Sequence, residues 1–238
     1  MSNDRKDFVS PFLLAGFAYL VSMLLRAFQG SIEQNSTLQT MEREFNLNYT
    51  VADDFIDDEK ILKTLQDPAV WKACDEANER WWDGKTKPAN IWEQLSKKIW
   101  QDRDEFQVAV GFEYWCNIIK DEVFLPWHID KDEYELQVNQ RLVTPLMGAV
   151  YYGMDHHFDE GTGILQLADA DINDNPRDFE HERRGEVVEI TPKFNRMIMF
   201  NATKWHRVTG VHNGARYTFA VNANKHKPKV LNFRDEKK

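Results

Sequence analysis

The apolar positions of this chain change their spacing along its length. Residues 8–25 read FVSPFLLAGFAYLVSMLL, eighteen residues without a charge, flanked by Arg5, Lys6 and Arg26. That length is the lower bound for a membrane-spanning helix. Apolar residues cover all sides, which excludes a one-sided surface helix. Two readings follow: a membrane anchor, or a helix buried against the domain or in a dimer, with Pro11 in its first turn. A cleaved signal is disfavoured because no small-x-small site follows. Residues 29–39 are polar and read as a linker. The expected division is an appendage at 1–40 and a domain at 41–238, with the compact part starting near Asn48.

A short strand then gives way to helical spacing, with Asp57 as a candidate cap. Asp67-Pro68 opens a second helix, since Asp caps and Pro suits the first helical position; it carries Trp71, Cys74 and Ala77. Gly84 and Pro88 break the chain. Residues 91–100 form a third helix with Trp92, Leu95, Ile99 and Trp100 as apolar positions. From Glu105 the period falls to about two. QVAVGFEYW places Val108, Val110, Phe112 and Tyr114 on one face. Further extended runs fall at 123–130, 143–152, 163–168, 186–190, 196–201, 205–211 and 216–222, separated by turn-rich pieces. Helices followed by eight or so short strands predict a mainly β protein, a sandwich of the jelly-roll kind.

A net charge of −9 argues against a protein that binds a nucleic-acid backbone. The two cysteines, Cys74 and Cys116, read as lone residues, which makes a reducing compartment, the cytoplasm, the expectation. They lack the clustering of a zinc site.

The chemistry concentrates in four residues. His128 and Asp130 stand two apart, so at a strand end they share a face. His206 comes from a different strand. Two histidines and one carboxylate make a facial triad that holds Fe(II) and leaves the opposite positions open for a co-substrate and oxygen. Arg216, ten residues past His206, can grip a carboxylate through two parallel hydrogen bonds, and Thr218 shares its face. A metal with an arginine beyond it suits a dicarboxylic acid that chelates at one end. Singly, each residue has a bland reading as packing or surface; the joint pattern carries the signal. Trp127 and Trp205 each precede a ligand and should face the opposite side, as core. Tyr114 is a candidate pocket contact. His156 and His157 read as a solvated loop with a second metal site as the minor alternative, and residues 131–135 as a loop or a substrate lid.

Residues 48–224 resemble the prolyl 4-hydroxylase-like branch of the Fe(II)/2-oxoglutarate dioxygenases. The matching pieces are PWHIDKDE, AVYYGMDHHFDEGTGILQLAD and EITPKFNRMIMFNATKWHRVTGVHNGARYTFAVN. The usual Gly-Gly-x-Leu strand stands here as Gly161-Thr162-Gly163-Ile164-Leu165, and Asn195 replaces a glycine before the strand that leads to the second histidine. The resemblance implies a double-stranded β-helix, with metal ligands at His128, Asp130 and His206. It also implies Arg216 on the distal carboxylate of 2-oxoglutarate; the Thr218 hydroxyl beside it is the expected second donor, Tyr114 on its strand is a candidate 2-oxoglutarate or substrate contact, and ascorbate is a candidate accompanying reductant. A carboxylate at 130, where related halogenases carry a small residue, implies hydroxylation. The substrate class left open is a peptidyl proline, another protein side chain or a free small molecule. A catalytically silent jelly-roll binding protein is the alternative.

Overall fold

The computed structural model describes residues 49–77, 80–155, 157–170 and 187–229. All lie in one compact unit, Leu47–Lys238. The apolar segment 8–25 and its linker fall outside the described residues. Among the described residues no helix is long and apolar enough to cross a membrane.

Strand β1 (Tyr49–Ala52) leads into helices α1 (Glu59–Leu65) and α2 (Pro68–Asp75). Then come β2 (Arg80–Trp82), α3 (Ile91–Trp100), α4 (Asp104–Val108), β3 (Gly111–Lys120), β4 (Leu125–His128) and α5 (Glu133–Asn139). Strands β5 (Met147–Tyr152), β6 (Leu165–Ala168), β7 (Val187–Ile190), β8 (Arg196–Phe200), β9 (Trp205–Val208) and β10 (Ala215–Asn224) complete the order. The strands form two antiparallel sheets. The larger runs β1-β8-β5-β10-β3-β2 and the smaller β4-β9-β6-β7. This is the double-stranded β-helix.

Four of the five described helices start where a short polar side chain satisfies free backbone donors, and α4, after Arg103, has no side-chain cap. Asp58, one residue past the expected Asp57, accepts from the N–H groups of Lys60 and Ile61; Asp57 instead pairs with Lys98 at 3.0 Å. Asp67 caps α2 with Pro68 in its first turn, and Asn90 caps α3. The helices cover the outer face of the larger sheet. Trp92 stacks on Phe219 at 5.3 Å and meets Trp71 edge-on at 5.0 Å. Trp71, Leu95 and Trp100 are fully buried there; truncating a buried aromatic of this kind costs about 3–5 kcal/mol. A second apolar cluster fills the space between the sheets, with Tyr152, Leu165, Leu167, Ile198, Phe200 and Val208.

The alternation expected from Glu105 fails at its start. Residues 104–108 form a helical turn closed by Ala109 N–H donating to Glu105 O at 2.8 Å. Val108 and Val110 are 60% and 51% exposed, so they do not share the buried face of Phe112 and Tyr114. Pairing begins only where Val110 N–H reaches Asn224 O. Cys74 and Cys116 are joined by a disulfide that ties the end of α2 to β3. The reading of two lone cysteines is corrected, and with it the argument it gave for a reducing compartment.

Asn195 keeps the turn that a glycine would make, at φ +58°. Asn tolerates this left-handed region better than most residues. Its side chain also holds the fold together: Oδ1 accepts from Ile56 N–H and Tyr151 O–H, and Nδ2 donates to Ile56 O. A glycine would supply the turn and lose all three bonds.

Candidate metal centre

The smaller sheet brings the two histidines together. Strands β4 and β9 pair antiparallel with His128 opposite His206, and their rings lie 4.2 Å apart. Asp130 follows the end of β4. The ligand atoms of His128, Asp130 and His206 all lie within 4.8 Å of one another. Asp130 Oδ1 faces His206 Nε2 at 3.6 Å and His128 Nε2 at 4.0 Å.

The backbone selects the ring nitrogens. His128 Nδ1 sits 2.7 Å from Pro126 O, and His206 Nδ1 sits 3.0 Å from Lys204 O. A carbonyl only accepts, so each Nδ1 carries the proton and donates. Each Nε2 lone pair is then directed at the shared space, the arrangement in which imidazole ligates a metal. Three ligands from two strands form the set that suits a divalent iron with open positions.

Electrostatics agree with that role. Burial alone would raise the Asp130 carboxyl, but the charge and hydrogen bond of His206, with His128 and Asn222, hold it down at about 2. Burial lowers His128, and the neighbouring His206 lowers it further. His206 is pulled down by burial, but Asp130 more than offsets this, so its value is raised. A metal that ligates His206 must displace this proton. We expect metal affinity to fall as pH drops through and below the titration of His206, by up to about tenfold per pH unit for one displaced proton. Asp130 stays ionised over that range and adds nothing to the slope. Mn(II) titrations at pH 6 and pH 8 check this; equal affinities would contradict it.

Strand β10 supplies the rest of the site. Residues 216, 218, 220 and 222 share one face by alternation, and all four line the same pocket as the triad, a cavity of about 190 Å³. Arg216 is 2% exposed. Its Nη1 donates to Thr218 Oγ1 at 3.2 Å and its Nη2 to Tyr152 Oη at 2.9 Å. Its buried Nε has no hydrogen-bond partner. A cation buried among hydroxyls, with a donor unused, is incomplete; burying charge is costly unless it is paired. A carboxylate entering the pocket completes it. Leu125, Val150, Leu165, Phe200 and Val208 give the pocket its apolar walls.

The triad, Arg216 and Thr218 therefore converge as expected. Tyr114 does not. It lies on the other face of β3, packs against Phe219 and bonds Asn90 and Glu93. Trp115 and Asn117 line the pocket instead, because strand side chains alternate and these two have the opposite parity to Tyr114. Trp127 and Trp205 are only partly buried, against Ala168 and Ala170, and Arg207 lies 4.8 Å over the Trp127 ring. His156 falls outside the described residues and His157 is exposed; among the described residues only the triad forms a candidate metal group. Of residues 131–135, Asp132 caps α5 through Glu135 N–H. Tyr152 and Asn222 went unnoticed in the sequence, although Asn222 shares the parity of Arg216.

A family model described as the 2OG-Fe(II) oxygenase superfamily matches residues 114–224, a span that contains the triad and Arg216. No curated protein matches the sequence. Among solved structures, HygX from Streptomyces hygroscopicus, with nickel and 2-oxoglutarate bound, is similar at 8% identity and a TM-score of 0.50, covering 79% of this chain and 88% of that one. A prolyl-4-hydroxylase from Pseudomonas putida is similar at 15% identity and a TM-score of 0.49, with 76% and 89% covered. A prolyl hydroxylase from Trichoplax adhaerens, in complex with a hypoxia inducible factor peptide fragment, is similar at 12% identity and a TM-score of 0.47, with 82% and 92% covered. At these identities the likeness concerns the fold.

Proposed function

We propose that this chain, whose residues 114–224 match the 2OG-Fe(II) oxygenase superfamily model, is an oxygenase of that kind and hydroxylates an unactivated C–H bond of a peptidyl or amino-acid-like substrate. One observation carries the reading: the buried, incompletely paired Arg216 opens into the same small pocket as His128, Asp130 and His206. A binding module needs neither a metal triad with open positions nor a carboxylate clamp beside it.

Bound here, Fe(II) and 2-oxoglutarate would supply the oxidising chemistry, with oxygen consumed, carbon dioxide lost from the keto acid and succinate formed. The chain's own residues fix where this occurs. His128 and His206 present Nε2 because Pro126 O and Lys204 O hold the other nitrogen. Arg216 would hold the far carboxylate, and Tyr152 and Thr218 orient its guanidinium from two sides. The apolar walls exclude water, which strengthens that ion pair. Asp130 would fill the third protein ligand position with a carboxylate, which would leave no vacancy for a halide and favours hydroxyl transfer.

The pocket's size supports the substrate class. With a metal and a co-substrate bound, a cavity of about 190 Å³ with apolar walls would admit one small aliphatic group, such as a proline or other side chain. The domain is assigned to residues 41–238, and a membrane association to residues 8–25, on the sequence pattern alone. Succinate release with Fe(II) and ascorbate tests the substrate class: proline-containing peptides should raise it above the substrate-free rate. Stimulation by free small molecules and by no peptide would refute the peptidyl assignment.

A further inference from the structure

Asn222 is buried on the pocket face of β10, and its Nδ2 donates to Asp130 Oδ2 at 3.0 Å. The other oxygen, Oδ1, is the one that faces His206 and His128. The two oxygens of one carboxylate are thus engaged differently, one by protein and one toward the ligand space. Packing reserves room for this amide. The residue opposite Asn222 on β5 is Gly148, and a Cβ there would fall 2.9 Å from Asn222 Oδ1. Any other residue at 148 would push the carboxamide off its place over Asp130.

The geometry points to Asn222 as a positioning residue that restricts Asp130 to one-oxygen coordination of the metal. The inference rests on the metal reading of the triad given above. A carboxylate without this restraint can rotate and chelate through both oxygens. The second oxygen then takes a coordination position that the co-substrate or oxygen requires. Asn222 acts through its hydrogen bond to Asp130. Supporting partners of metal ligands commonly act in this way, by fixing the orientation of the ligand.

Mn(II) is the probe, because the water-proton relaxation it induces reports how many water ligands it keeps. On an octahedral ion, three protein atoms leave about three water positions. Asn222→Ala, measured at saturating Mn(II), should keep about one fewer, which lowers the relaxivity by roughly one third. Mn(II) affinity should also fall about 10- to 100-fold. Gly148→Ala retains the amide but crowds it, so it should shift relaxivity in the same direction; it carries the comparison if Asn222→Ala does not fold. A wild-type relaxivity in the variant would overturn the inference and leave the metal reading standing. Failure of the wild-type protein to bind Mn(II) would overturn the metal reading itself, and the role of Asn222 with it.

Discussion

His206→Ala is expected to abolish coupled turnover and to weaken Fe(II) binding by more than the roughly 10–100-fold that follows loss of a supporting partner. His206 is itself one of three ligands, and two protein ligands remain without it. The loss reaches Asp130 as well, because His206 is the main charge that stabilises the buried carboxylate. The Asp130 carboxyl should therefore titrate higher in the variant. The β9 strand itself should survive: its neighbours Trp205 and Val208 pair with Ala168 and Leu165 through backbone bonds that the substitution leaves intact. Metal titration beside a circular dichroism spectrum separates the two effects. Equal iron affinity in wild type and variant would remove His206 from the ligand set.

Arg216→Ala should raise the 2-oxoglutarate requirement by roughly 30-fold or more. Truncating one partner of a desolvated, hydrogen-bonded ion pair costs about 2–5 kcal/mol, and each 1.4 kcal/mol is a factor of ten. The burial of the guanidinium places this pair in the costly class, unlike an exposed surface bridge worth about 0–1 kcal/mol. Arg216→Lys should be milder, because an ammonium keeps the charge but loses the planar fork. It also loses the two-sided grip by Tyr152 and Thr218. Iron binding should change little in either variant, since Arg216 is not a ligand. Titrations with 2-oxoglutarate at saturating iron check this; an unchanged curve in Arg216→Ala would place the co-substrate elsewhere.

The ligands and the clamp were legible in the sequence because their chemistry is carried by residue type and by spacing within one strand. His-x-Asp and Arg-x-Thr each follow from the two-residue strand repeat. Whatever depended on the register between strands was not legible. Tyr114 and Trp115 are adjacent aromatics in one strand, and only the pairing of Trp115 with Ala220 on the pocket face of β10 decides which enters the site. Tyr151 and Tyr152 pose the same ambiguity. One bonds Asn195 beneath the sheet and the other bonds Arg216 in the pocket. The disulfide was hidden for a related reason: Cys74 and Cys116 are 42 residues apart, and only the docking of α2 on β3 brings them together. The false start of the strand at Glu105 has a local cause, since a helical turn and a strand are hard to distinguish over five residues.

Succinate formation from 2-oxoglutarate, measured for the wild-type protein beside His206→Ala with and without added Fe(II), tests the central claim most directly. The wild type should form succinate only with iron, even without a substrate, and the variant should form none. Succinate formed equally without iron, or none from the iron-loaded wild type, would contradict an Fe(II)- and 2-oxoglutarate-dependent oxygenase built on His128, Asp130, His206 and Arg216.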